Sequence, residues 1–167
     1  MNNHVHKAPW ALSLIISTAL ASSLCMIVAV FILNDAEDAE RWLFILPLLV
    51  VAIAALFTVR GYALSADYLR IHRLLWSTRI PLAGLQSATY DPEAVHKSSR
   101  SFGNGGLFSI SGYFRSKKLG KYRAFISHPA LAVVLRFADH IIVVSPAIPE
   151  QFIRQLRELG ALPTERE

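Results

Sequence analysis

The sequence predicts an α+β protein: an N-terminal two-helix transmembrane hairpin, then a small antiparallel β-barrel or sandwich closed by a C-terminal α-helix. Three observations carry this. Two uncharged apolar runs fill most of the first sixty residues. Period-two alternation with regular turn signals follows. Helical periodicity then returns after Ile148. The chain of 167 residues is 53% apolar and only 17% charged, below the quarter or so usual for a soluble domain. That balance excludes a disordered tail, and the single cysteine, Cys25, excludes an internal disulfide framework.

Residues 1–9 form a short N-terminal segment. From Trp10 to Leu33 run 24 residues without a charge. At about 1.5 Å rise each they cover roughly 36 Å, enough for a hydrocarbon core of about 30 Å. A second run, 42–59, covers roughly 27 Å. Trp10 and Trp42 open the two runs, as interfacial anchors do. The connection 34–41 carries four acids and one base and is too short for a domain, so the runs form a hairpin. Ala19-Leu20-Ala21 imitates a signal-peptidase site, but the apolar run continues well past it. Pro47 is expected to kink the second span.

Lys and Arg set the orientation. The connection holds only Arg41, whereas Arg60, Arg70, Arg73 and Arg79 follow the second span. Both termini are therefore expected in the cytoplasm, with the protein in the cell (inner) membrane. Ser13, Ser17, Ala21, Cys25 and Ala29 form a small-residue row at four-residue spacing, which allows close helix packing in lipid. The row serves the hairpin itself, a second copy of the chain, or another membrane protein.

Residues 60–167 hold fifteen bases and eight acids and suffice for one small core. Alternation and turn residues place strands at 61–65, 68–76, 78–82, 86–90, 107–114, 120–127, 130–137 and 140–145. Ile148, Phe152, Ile153, Leu156 and Leu159 then share one helical face. Pro149 suits the first helical position, Glu150 the positive end, Arg157 the last turn and Gly160 the exit. Phe152 and Leu156 are expected to plug one open end of the barrel. The tail 161–167 is expected to fray.

Several segments resemble the bacterial pleckstrin-homology-like (bacterial PH) domain family. They are Gly61-Tyr62-Ala63-Leu64, Asp67-Tyr68-Leu69-Arg70-Ile71, Arg79-Ile80-Pro81-Leu82, Phe102-Gly103-Asn104-Gly105-Gly106-Leu107-Phe108 and Leu119-Gly120-Lys121-Tyr122-Arg123-Ala124-Phe125. The close, Val143-Val144-Ser145-Pro146 with Pro149-Glu150-Gln151-Phe152, is similar too. The resemblance spans about 60–160 and implies a membrane-tethered, non-enzymatic domain with no catalytic residues and no cofactor. Eukaryotic relatives resembling this fold hold phosphoinositides with bases around the first hairpin loop. Here that loop is Ser65-Ala66-Asp67, without a base.

The stretch 94–123 holds seven bases and no acid: Lys97, Arg100, Arg115, Lys117, Lys118, Lys121 and Arg123. It reads as a solvated positive face or as a surface for an anionic lipid or an acidic protein partner. Nucleic acid is not expected, because no aromatic stacking platform accompanies the charge. Phe102, Gly103, Asn104, Gly105 and Gly106 read as a turn or bulge needing positive φ, or as a loop contacting a partner. They are not a phosphate loop, since no Gly-Lys-Ser/Thr follows. His4 and His6 lack the Cys, Asp or Glu companions of a metal site, and no nucleophile–base spacing stands out. The function this reading favours is a membrane-anchored binding or assembly module, not an enzyme. The alternative is a regulatory subunit of a membrane enzyme or transporter.

Overall fold

The computed structural model describes residues 4–38, 40–96 and 98–162. Strand β1 (His4–Lys7) leads into helix α1 (Leu12–Asp35), and a 3₁₀ turn (Arg41–Phe44) leads into α2 (Ile45–Leu56). Strands β2 (Gly61–Leu64), β3 (Tyr68–His72), β4 (Ser77–Pro81) and β5 (Leu85–Tyr90) follow. Next come β6 (Ser99–Leu107), β7 (Ser109–Ser116), β8 (Gly120–Ile126), β9 (Val133–Phe137), β10 (Ile141–Val144) and α3 (Pro149–Glu158).

α1 is long and apolar enough to cross a membrane, with a mean hydropathy of 2.4 over eighteen of its residues. The Arg41–Leu56 stretch is apolar but shorter. The expected second span, 42–59, is thus divided. Pro47 has no N–H to give to Leu43, so it stands in the first turn of α2 and the chain before it tightens into 3₁₀ geometry. Pro47 thus stands at the change from 3₁₀ to α geometry. At the other end, the Thr58 hydroxyl bonds the Ala55 carbonyl at 2.6 Å, and the chain leaves the helix. Ala19 to Ala21 lie inside α1.

The strands form two sheets, ordered β1-β2-β3-β4 and β5-β9-β10-β8-β7-β6. All pairs are antiparallel except β10 with β8, where Val143 lies opposite Ala124. β9 reaches across to β5 and β10 returns between β9 and β8, so β10 must run with β8. Ile141-Ile142-Val143-Val144 suits that central position, because its sheet is covered on both faces. One core lies between the two sheets and α3, around Tyr62, Leu69, Phe125, Leu135, Phe152 and Leu156. A second lies on the far face of the larger sheet, around Phe114, Tyr122, Ile126 and Val134.

Phe152 and Leu156 are fully buried, as the helical face requires. Ile148 is not on that face and stays exposed. Gln155 is there instead, its Oε1 2.5 Å from Nε2 of His6 on β1. Leu162 also packs into the core, so the first residues of the expected frayed tail are docked; 163–167 lie outside the described residues.

Two strands were not expected. β1 has one apolar residue among four, and its pairing with β2 supplies what pattern does not. β6 contains Gly103, Gly105 and Gly106, poor strand formers that are held in place by β7. The expected strand at 68–76 ends at His72. Residues 73–76 form the β3–β4 turn, closed by Arg73 N–H to the Trp76 carbonyl at 2.9 Å.

The sheets are tied by a buried hydroxyl network. The Tyr62 hydroxyl donates to the Phe125 carbonyl at 2.6 Å and accepts from the Ser145 N–H at 3.0 Å. The Ser145 hydroxyl in turn accepts the Ser127 N–H at 2.9 Å. Burial pushes the Tyr62 phenol up to about 12.

Candidate functional site at the helix–sheet junction

Both helices of the N-terminal pair grip the β domain where they meet it. The Ser17 hydroxyl donates to the Gly106 carbonyl at 2.8 Å, and the Phe108 N–H donates to the Thr18 hydroxyl at 2.9 Å. Phe108 stands at φ 62°, a costly conformation for a β-carbon residue, and Trp10 lies edge-on to its ring. α2 ends on the Phe57 carbonyl, which accepts from Arg73 Nη1 at 3.2 Å and from the Ser109 hydroxyl at 2.8 Å. A cation and a hydroxyl thus satisfy a carbonyl that a helix end leaves orphaned.

Part of the small-residue row is covered within the chain. Ala29 is buried, and Ala21 and Cys25 are half-buried. Ser17 is committed to Gly106, and Ser13 is exposed. α1 packs on α2 and the 3₁₀ turn, while Leu20, Leu24, Ile27 and Phe31 stay exposed.

A cavity of about 560 Å³ opens between α2 and the β6–β8 face. Val50, Ile53, Ala54 and Phe57 form its helical wall. Its floor is Gly103, Ser111, Gly112 and Phe125, and Phe102 and Tyr113 flank it. Gly103 and Gly112 are register partners, at φ +120° and +141°. A β-carbon on either would come within 3 Å of the other's backbone, so only glycine allows this approach.

Two arginines close the base. Arg73 lies 5.3 Å and Arg123 4.8 Å from the Phe125 ring centroid, so two like charges share one ring. Arg73 is also over Phe57 and Trp76. It is only 9% exposed, and its Nε has no hydrogen-bond partner. Burial and the neighbouring Arg123 hold its guanidinium below the usual arginine range. Among the described residues, no carboxylate forms an ion pair with either arginine.

The basic stretch is therefore not one loop but three consecutive antiparallel strands. Arg123 turns into the cavity, and Lys118 pairs with Asp91. Arg115, Lys117 and Lys121 are exposed. Lys97 and the Arg100 side chain lie outside the described residues. The expected contact loop is also strand: Phe102 and Gly103 line the cavity, while Asn104 Oδ1 accepts the Leu107 N–H at 3.0 Å and shapes the turn. Gly105 is part of the β6 ladder and Gly106 binds Ser17.

Sequence reasoning missed Arg73. The available signal was Arg73-Leu74-Leu75-Trp76. Three large apolar residues fill a hairpin turn that polar residues usually fill, and they remain exposed, Leu75 at 74%. Trp76 packs edge-on against Phe57 at the end of α2.

Among the described residues no group of three or more His, Cys, Asp or Glu is placed to hold a metal. The arrangement combines two layers of sheet, a closing helix and an apolar cavity that carries two arginines. Such a domain belongs to the class of small β-sheet binding modules. The bacterial PH domain model matches residues 60–160, more than half of the chain, and the chain belongs to that family. PH domains are generally non-catalytic binding modules. No curated protein and no solved structure matches the chain.

Proposed function

We propose that this chain is a membrane-anchored, non-catalytic binding or assembly module. Its PH domain is held at the cytoplasmic face of the inner membrane by a two-helix hairpin, with both termini cytoplasmic. The observation that carries this reading is the pairing of β1 with β2. The chain before α1 and the chain after α2 enter one sheet, so they share one side of any barrier. Between them lies a helix whose outer face is apolar and exposed. A surface of that kind is stable in lipid and adhesive in water. α1 must therefore be answered by a return, and α2 with its 3₁₀ turn is that return.

Lengths support the hairpin. Beyond Thr18, where α1 leaves the β domain, seventeen residues remain to Asp35, about 26 Å of helix. Arg41–Leu56 gives about the same by α and 3₁₀ rise. Local thinning of the bilayer accommodates a span of this length. Exposed Leu74, Leu75 and Trp76 beside the end of α2 fit the interfacial layer.

The test is side-specific labelling in intact cells. Asp38→Cys is expected to react with an impermeant maleimide from outside. Lys117→Cys is expected to react only after permeabilisation, and the chain to stay in the carbonate-resistant pellet. Labelling of Lys117→Cys in intact cells, or release by carbonate, overturns the reading.

A further inference from the structure

We propose that the cavity between α2 and the β6–β8 face is a binding site for one anionic phospholipid. Its phosphate sits between Arg73 and Arg123, and an acyl chain lies along Val50, Ile53 and Ala54. This rests on the membrane-anchored reading above and adds the ligand class and its site.

The site is incomplete without an anion. Two guanidinium groups share the Phe125 ring, and among the described residues no carboxylate is paired to either. Arg73 is nine-tenths buried, yet its Nε is unpartnered. A buried, unpaired donor on a cation is costly, and ring contacts offset only part of that cost. A phosphate beside the two guanidinium groups supplies the missing charge and accepts from the fork atoms that the cavity reaches. Arg73 gives Nη1 to the Phe57 carbonyl, which aims the rest of its fork away from the helix end.

The rest of the cavity does not suit a soluble phosphate. Its helical wall is wholly apolar, and Phe102, Tyr113 and Phe125 add aromatic surface opposite it. About 560 Å³ lies within the ordinary range of small-ligand sites, roughly 300–1,000 Å³. The wall belongs to a helix that the proposed function places in lipid. A molecule with a phosphate at one end and a hydrocarbon tail at the other matches both halves. The site is also distinct from the first hairpin loop, Ser65-Ala66-Asp67, which has no base.

The experiment uses the full chain in phosphatidylcholine nanodiscs, with Trp10→Phe and Trp42→Phe leaving Trp76 as reporter beside Phe57 and Arg73. Brominated-chain phosphatidylglycerol is expected to quench Trp76 more strongly than brominated phosphatidylcholine at equal fraction. Arg73→Gln with Arg123→Gln is expected to lower the lipid preference by about 30-fold, roughly fivefold per arginine. Because Arg73 also caps α2, Arg123→Gln alone and Ala54→Phe, which fills the wall and leaves both arginines, are read beside it. Arg123→Gln is expected to lower the preference about fivefold and Ala54→Phe to lose it, each keeping the wild-type circular dichroism spectrum and the carbonate-resistant pellet. Arg115→Gln with Lys121→Gln, on the exposed part of the same hairpin, is expected to keep it.

Equal quenching by the two lipids, an unchanged preference in Arg123→Gln and Ala54→Phe, or an equal loss in the Arg115/Lys121 pair overturns the proposal. So does reversal of quenching by millimolar glycerol phosphate, which would identify a soluble occupant. Release of the wild-type chain by carbonate would sink the anchoring itself. Equal quenching with an intact pellet sinks only the lipid site.

Discussion

Helices α1 and α3 are built on opposite principles. α3 has ten residues and buries one side: Phe152 and Leu156 are sealed in the core, while Arg154 and Glu158 face outward. α1 has twenty-four residues, is apolar on every side, and buries only Leu14, Thr18 and Ala29. α3 is a helix for water, stabilised by what it covers. α1 gains little from the rest of the chain and keeps large side chains exposed. The contrast teaches that α3 is held by what it covers, whereas α1 presents an apolar surface that the described residues leave largely uncovered.

The comparison can be broken most sharply at α3. Phe152→Ala removes a fully buried ring between Tyr62 and His6. It is expected to cost about 3–5 kcal/mol, read as a lowered melting midpoint in detergent. Leu24→Ala on α1 is expected to leave that midpoint nearly unchanged, because Leu24 is 62% exposed. A large loss from Leu24→Ala would mean that α1 is a core helix.

The next largest effect belongs to α1 and shows only in membranes. Ile27→Lys puts a charge on the exposed face in mid-helix. It is expected to cost about 2.5–3.5 kcal/mol of insertion, seen as a smaller membrane fraction in cells, with the β domain still folded.

Tyr62→Phe comes next. It leaves the Ser145 N–H and the Phe125 carbonyl without their shared partner, for an expected cost of about 1–3 kcal/mol. It also has a pH signature. The phenol titrates near 12 when folded and near 10 when unfolded, so above pH 10 the unfolded chain loses its proton first. Stability is then expected to fall with rising pH between about 10 and 12, by up to about 1.4 kcal/mol per unit from this group. That contribution should be missing from Tyr62→Phe in denaturant titrations across the same window.

The smallest effects compare two kinds of glycine. Gly112→Ala drives a β-carbon into the backbone of Phe102 and Gly103, whereas Gly120→Ala meets open space at φ +70°. The first is expected to lower the melting midpoint clearly more than the second, whose cost is that of its turn conformation, about 1 kcal/mol.

Much of the fold was legible because its signals are local. Leu69 and Ile71 alternate with Arg70 and His72, and they are buried as that pattern requires. Pro149, Glu150 and Gly160 bracket α3 where helix-end chemistry puts them. β1 and β6 were not legible. Their reason to be strands is a partner far along the chain, Gly61–Leu64 for one and Ser109–Arg115 for the other. The parallel β8–β10 pair was hidden for the same cause, since direction depends on which neighbour β9 takes.

The candidate site divides in the same way. Arg123 and Phe102 stood out by charge and by glycine context, yet only the fold separates them from Lys118, which pairs with Asp91. Arg73 and Arg123 are fifty residues apart in the chain and meet over one ring. By itself the sequence determined the apolar N-terminal run, the period-two body, the closing helix and the excess of positive charge, because each depends on neighbours within a few residues. Tertiary structure alone decided that residues 4–7 join the first sheet, that the glycines of β6 and β7 face each other, and that two arginines close an apolar cavity. Those are contacts between distant segments, and no local period encodes them.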